Sequence, residues 1–167
     1  FIPARGEMGA GHMADGFARS SDKVGVVITS TGPGAANVVG SIVEARFAGT
    51  PLLHITGQTA TQNLDKNQGT VHDVPNQLEM MKSVSKNAYR ISSAENVLEL
   101  LEKALEETIS PPTGPVSIEV PIDIQRIIIK RKETFKKVYV NDKNIPLGDS
   151  SSLELIEEQI RKSKRKI

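Results

Sequence analysis

The feature that most constrains this chain is one ordered stretch. The apolar run Val24-Gly25-Val26-Val27-Ile28 leads into the turn-rich segment Thr29-Ser30-Thr31-Gly32-Pro33-Gly34. A helical stretch with few charges follows over 35–48 and stops at Gly49-Thr50. A second apolar run, Pro51-Leu52-Leu53-His54-Ile55-Thr56, comes next and ends in Gly57-Gln58. Short, nearly continuous apolar runs read as strands covered on both faces of a parallel sheet. Strand, loop, helix and strand in that order make a βαβ unit, whose crossover is right-handed. The expected fold is therefore α/β, a doubly wound and mostly parallel sheet flanked by helices. Its glycine-rich loop lies at the carboxyl edge of the sheet, where such folds bind ligands.

The remaining segments fit that plan. Phe1-Ile2-Pro3 reads as the tail of a strand already under way, so the chain is expected to be a piece of a longer protein. Residues 8–19 place small and apolar side chains at helical spacing, with Ala10, Met13, Ala14 and Phe17 as the apolar stripe. Glycines weaken such a helix but let it approach a neighbour closely, and a buried, tightly packed helix is expected. Residues 58–75 form a long polar loop, and a loop of that length inside a compact domain is usually functional or disordered. A short helix is expected over 75–84, with Leu78 and Met81 inward. A short strand follows over 88–91. An amphipathic helix starts at a Ser93 cap, with Val97, Leu98, Leu101, Ala104, Leu105 and Ile109 on its apolar face. Pro111-Pro112 end it, and a third strand covers 115–121. Beyond that the chain turns charged and rich in Lys and Asn. These shifts divide it into one domain over 1–125, a linker over 126–149, and the opening helix of a second domain over 150–167, capped by Ser150-Ser151-Ser152.

Composition excludes several functions. Net charge is +1, so the body of the chain has no electrostatic bias toward nucleic acid. With no Trp, two Tyr and four Phe it offers little for stacking bases. The basic end, Arg161, Lys162, Lys164, Arg165 and Lys166, reads as a solvated helix end. No apolar run approaches the roughly 18–20 residues of a membrane span, and no secretory signal pattern is present. The absence of Cys removes disulfides, thiolate metal sites and Cys nucleophiles. It fits a reducing compartment, and a cytoplasmic protein is expected.

Glu7 stands between a strand end and a helix start. An acid there often serves only the helix dipole. Its neighbours Met8, Gly9, Ala10 and Gly11 are apolar or tiny, which suits a carboxyl that shares a proton with a ligand. The 29–37 loop has neither the dinucleotide nor the P-loop fingerprint, and Pro33 removes one backbone donor. It reads as a loop shaped for close approach of a flat ligand or another chain. Gln58 ends the next strand on the same edge and could offer an amide. The histidines lack metal-ligand spacing. His12 and His54 read as packed structural residues, and His72, beside Asp73 in the polar loop, as the better proton-transfer group.

Four ordered stretches carry a resemblance. They are Arg5-Gly6-Glu7-Met8-Gly9-Ala10-Gly11-His12-Met13-Ala14-Asp15-Gly16-Phe17-Ala18-Arg19, Thr31-Gly32-Pro33-Gly34-Ala35-Ala36-Asn37, Pro51-Leu52-Leu53-His54-Ile55-Thr56-Gly57-Gln58, and Gly114-Pro115-Val116-Ser117-Ile118-Glu119-Val120-Pro121-Ile122-Asp123. Together they resemble the thiamine-diphosphate enzymes related to acetolactate synthase large subunits, over the first 125 residues or so. The resemblance implies a pyrimidine-binding domain whose first strand and helix lie upstream of Phe1. It implies that Glu7 activates the cofactor by hydrogen-bonding its aminopyrimidine ring. Gly32, Pro33 and Asn37 would line the pyrimidine pocket, Gln58 would be an active-site amide, and His72 would face the substrate. Magnesium and the diphosphate would be held by a further domain, so no metal site is expected here, and FAD is left undetermined. The implied partners are a 2-oxo acid and a second subunit, as a homodimer or homotetramer with the site between subunits.

Two departures stand out. Gly6 replaces a His found in many members. Val71-His72-Asp73 stand where true acetolactate synthases have Phe-Gln-Glu, so a decarboxylase or lyase acting on another substrate stays open. A non-catalytic assembly or regulatory domain is the contrasting reading, and a nucleotide-binding α/β domain is a third.

Overall fold

The computed structural model describes residues 1–128 and 148–163. Four strands form one sheet: β1 (Gly25–Thr29), β2 (Leu52–Gln58), β3 (Asn87–Arg90) and β4 (Val116–Pro121). Their order is β1-β2-β4-β3 and every pairing is parallel. Parallel neighbours need crossovers, which α2 (Pro33–Asn37) with α3 (Val39–Phe47), α4 (Gln77–Val84) and α5 (Val97–Ile109) supply, while α1 (Glu7–Ser20) precedes β1 and α6 (Ile122–Gln125) follows β4. The doubly wound α/β expectation is met.

The strand period of two sorts side chains onto two faces. Leu52 joins Ala14, Val27, Val38, Ile42 and Ala45 in the core under α1 and α3. Its neighbour Leu53 joins Ile91, Ala104, Val116, Ile118 and Ile124 in the core under α5. A smaller cluster of Ala35, Met81 and Ala88 seats α4. Close helix packing depends on Gly11: a Cβ there would stand 1.8 Å from the Ser41 Oγ of α3.

Several expectations are corrected. β1 is an edge strand and not covered on both faces: Gly25, Val27 and Thr29 are buried, but Val26 is 50% and Ile28 58% exposed. An unbroken apolar run cannot reveal that one face lacks a cover. In α1 only Gly11, Ala14, Asp15 and Ala18 are buried. Met13 and Phe17 of the expected stripe are half exposed, because they turn toward the open face of β1. The helix expected over 35–48 is two helices, broken at Val38, which caps both. Helix α5 starts after Asn96, which accepts from the Ser93 N–H at 3.4 Å, rather than from a Ser93 cap.

The expected linker, 126–149, lies outside the described residues except at its ends, and so do Lys164, Arg165 and Lys166 of the basic end. Helix α7 (Ser150–Lys162) is capped by Asp149, whose carboxyl accepts from the Ser151 and Ser152 N–H groups, not by the serines. Its residues are all exposed.

Candidate functional site

Three segments meet at the carboxyl edge of the sheet. Glu7 is the first residue of α1 and partly buried. Its Oε2 accepts from Asn37 Nδ2 at 3.2 Å. Its Oε1 faces Gly34, where a Cβ would stand 3.5 Å from it and 2.4 Å from Ser30 Oγ. Helix α2 begins with Pro33, whose missing N–H is no loss in a first turn. Asn37 then reaches Glu7 from the last residue of that helix.

Gly32 carries the tight turn between β1 and α2. It adopts φ 58° and ψ −109°, a conformation L side chains avoid. A Cβ there would also lie 2.3 Å from the His72 carbonyl oxygen. The polar loop therefore folds its His72 backbone against Gly32, while the His72 side chain is exposed. His72 is itself at φ 61°.

Gln58 is brought to the same edge but turned inward. It is only 4% exposed. Its Oε1 accepts from the Thr59 N–H at 2.7 Å and from Thr31 Oγ1 at 3.4 Å, and its Nε2 donates to Glu119 Oε1 at 3.3 Å. Its amide is engaged within the protein. Thus Glu7, Gly32, Pro33, Asn37 and the His72 backbone are gathered, with Gln58 beneath them.

The residues beneath were not singled out from the sequence as site residues. Gln77 and Glu119 are fully buried. Gln77 Oε1 accepts from the Gly32 N–H at 2.7 Å and from Thr31 Oγ1 at 3.2 Å. Gln77 Nε2 donates to Gly57 O at 3.1 Å and to Glu119 Oε1 at 2.9 Å. Arg90 Nε donates to Glu119 Oε2 at 2.7 Å, and Arg90 Nη1 reaches Asp65 in the polar loop at 2.7 Å. One signal was available: a charged residue inside the buried strand Val116–Pro121 demands a partner. A second tether holds the loop start, where Asp123 accepts from the Thr61 N–H at 3.1 Å and from the Thr61 hydroxyl. The Thr61 hydroxyl bond holds the Asp123 carboxyl below the usual carboxylate range.

Deeper in the same face runs a chain of small polar groups. Thr29 Oγ1 meets His54 Nε2 at 3.0 Å, and His54 Nδ1 meets Ser117 Oγ at 3.1 Å. Ser117 in turn meets Ser85 Oγ at 2.7 Å. Burial pushes the His54 pKa down to about 4, so the ring is neutral near pH 7. His54 is the packed, hydrogen-bonded residue expected, whereas His12 is exposed on α1.

A groove of about 690 Å³ opens beside this edge, between the first residues, α1 and the uncovered face of β1. It touches Glu7, Thr29 and Ser30 at one end, and Met13, Phe17 and Val26 line the rest. Among the described residues no group of three or more His, Asp or Glu is placed to hold a metal. No helix among them is long and apolar enough to cross a membrane.

The geometry defines a class first: a parallel α/β domain that presents a carboxyl and a glycine-rich turn at its ligand-binding edge. Comparison with known proteins specifies it. Residues 1–80 match the family described as thiamine pyrophosphate enzyme, N-terminal TPP binding domain. The chain is 31% identical over 163 residues to the mitochondrial acetolactate synthase catalytic subunit of Saccharomyces cerevisiae, covering 98% of this chain and 23% of that protein. It is 34% identical over 126 residues to the acetolactate synthase large subunit of Lactococcus lactis, covering 75% of this chain and 21% of that protein. It is 37% identical over 123 residues to a probable 2-ketoarginine decarboxylase of Pseudomonas aeruginosa, covering 74% and 22%. The chain therefore carries the N-terminal domain of the thiamine pyrophosphate enzymes, of the acetolactate synthase-like kind. It spans about a fifth of the length of these relatives.

Proposed function

We propose that this chain binds and activates the aminopyrimidine ring of thiamine diphosphate within an enzyme that cleaves or forms C–C bonds at a 2-oxo acid. The observation that carries the reading is the Glu7 carboxyl, held by Asn37 on one oxygen and facing the Gly34 turn with the other. That donor set fits an aminopyrimidine: a carboxyl for a ring nitrogen, beside a glycine turn at which the Ser30 hydroxyl is the nearest side-chain group. The bound cofactor supplies the electron sink that makes loss of carbon dioxide accessible.

The chain's own residues do three things in this reading. Glu7 holds a proton between its Oε1 and the ring nitrogen, and Asn37 keeps the carboxyl aimed. Gly32 and Pro33 shape the turn that lines the ring. His72, on the loop folded against Gly32, serves the substrate side. Gln58 serves from below, as a support of the Thr31 turn.

The pyrimidine domain occupies 1–125 in this account, followed by a linker over 126–149 and a second domain from 150. Magnesium and the diphosphate are held by a different domain, supplied by another subunit, so the working unit is a homodimer or homotetramer. The cysteine-free composition supports a cytoplasmic setting. Printed names among the relatives include both acetolactate synthases and a 2-ketoarginine decarboxylase. The His72 loop is where such a difference in substrate would be read.

The test uses the full-length protein with magnesium and thiamine diphosphate. Carbon dioxide release is measured from pyruvate and a panel of longer and basic 2-oxo acids. Cofactor-dependent release from at least one donor is expected. Normal cofactor binding with no release from any donor would leave a non-catalytic domain as the better account.

A further inference from the structure

We propose that Gln77 is a positioning residue: its buried amide clamps the Gly32 peptide and holds the pyrimidine-facing turn in its binding geometry. The proposal rests on the preceding reading of that turn. Gln77 is the first residue of α4, far in sequence from the turn it holds. It is fully buried, and each side of its amide is matched to two partners. The acceptor side takes the Gly32 N–H and the Thr31 hydroxyl; the donor side gives to Gly57 O and Glu119.

The orientation of the amide is set by charge. Its NH₂ faces a buried carboxylate and a carbonyl, both acceptors only. A flipped amide would set its oxygen against Glu119 and its NH₂ against the Gly32 N–H. Each contact would be repulsive in a fully buried site. Glu119 is fixed in turn by Arg90, which is anchored to Asp65 in the polar loop. The network therefore joins four pieces: the β1–α2 turn, the end of β2, strand β4 and the 58–75 loop.

The turn needs such a clamp. Gly32 has a backbone conformation that glycine reaches but does not hold by itself, and it sits under the His72 carbonyl. Glycine has more conformational freedom to lose than any other residue. Fixing one residue's backbone costs about 1–2 kcal/mol. If folding meets that cost in advance, ligand binding does not. Releasing the clamp should weaken cofactor binding by about 5- to 30-fold, since each tenfold corresponds to about 1.4 kcal/mol.

The experiment uses the full-length protein with Gln77→Met, Gln77→Glu and the control Ile91→Val. Ile91 is buried in the core under α5, and removing one methylene leaves its N–H, which donates to the Glu119 carbonyl at 2.9 Å, in place. Calorimetric titration with thiamine diphosphate and magnesium gives Kd, and hydrogen exchange reports the backbone amides of 30–36. Expected for Gln77→Met are a Kd raised about 5- to 30-fold and faster exchange at Gly32. Ile91→Val should change neither. Gln77→Glu keeps an acceptor for the Gly32 N–H but turns its second oxygen on Glu119 Oε1 and Gly57 O, so exchange at Gly32 should be faster than in the wild type.

A folded Gln77→Met with wild-type Kd and exchange overturns the proposal. So does an Ile91→Val that weakens binding as much. If Gln77→Met does not fold, wild-type Kd and slow Gly32 exchange in folded Gln77→Glu overturn it, and faster exchange with a raised Kd supports it. If the wild type binds no thiamine diphosphate, the functional reading falls, and the exchange data alone decide whether the clamp exists.

Discussion

Replacing His54 with Gln should remove a pH dependence of stability that the native fold carries. His54 lies in strand β2 with Thr29 on one ring nitrogen and Ser117 on the other. No acid touches it, and burial alone takes its pKa from 6.5 to about 4. The unfolded chain therefore binds a proton between pH 6.5 and pH 4 that the folded chain refuses. Stability is fully present above about pH 6.5 and falls as the pH drops through that window. At about 1.4 kcal/mol per pH unit, the loss by pH 4 is about 3 kcal/mol. The amide introduced by His54→Gln would serve the same hydroxyl groups without titrating. Urea unfolding of both proteins at pH 7.5, 6.5, 5.5 and 4.5 makes the comparison. Carboxylates titrate equally in both, so the difference isolates His54. Their stability difference should be flat above about pH 7 and change by about 2.5 kcal/mol between there and pH 4.5. Parallel loss in the two proteins over the whole range would refute the reasoning.

Other perturbations follow from the same contacts. Arg90→Met should strand the buried Glu119 carboxylate and cost about 3–5 kcal/mol in urea unfolding. A cost under about 1 kcal/mol would refute that reading. Gly32→Ala should cost about 1–3 kcal/mol through backbone strain. It should also displace the His72 loop, seen as faster hydrogen exchange over 70–74, because its Cβ meets the His72 carbonyl.

Much of the sheet is legible in the sequence. Val24 to Ile28 and Pro51 to Thr56 are short, apolar and bounded by turns, so both strands and their parallel crossover follow from local pattern. The open face of β1 is not legible, because apolar side chains look alike whether covered or exposed. The break at Val38 is hidden as well, since 35–48 is helical in composition on both sides of it. In the site, Glu7, Gly32 and Asn37 are near enough to sequence signals to be found. Gln77 is not, because its role depends on a contact 45 residues away with the Gly32 N–H. Glu119 announces itself only as a charge within a buried strand. Its partners, Arg90, Gln58 and Gln77, come from three separate segments that only the fold brings together.

The central claim is that the Glu7 carboxyl activates the cofactor. The most direct measurement is thiamine-diphosphate-dependent carbon dioxide release by the full-length enzyme, wild type against Glu7→Gln, at saturating cofactor and magnesium. The substituted amide would keep the size and the contact with Asn37 but could not exchange a proton with the ring. A fall in kcat of about 10²–10⁴-fold with the fold intact is predicted. A Glu7→Gln enzyme as active as the wild type would contradict the account.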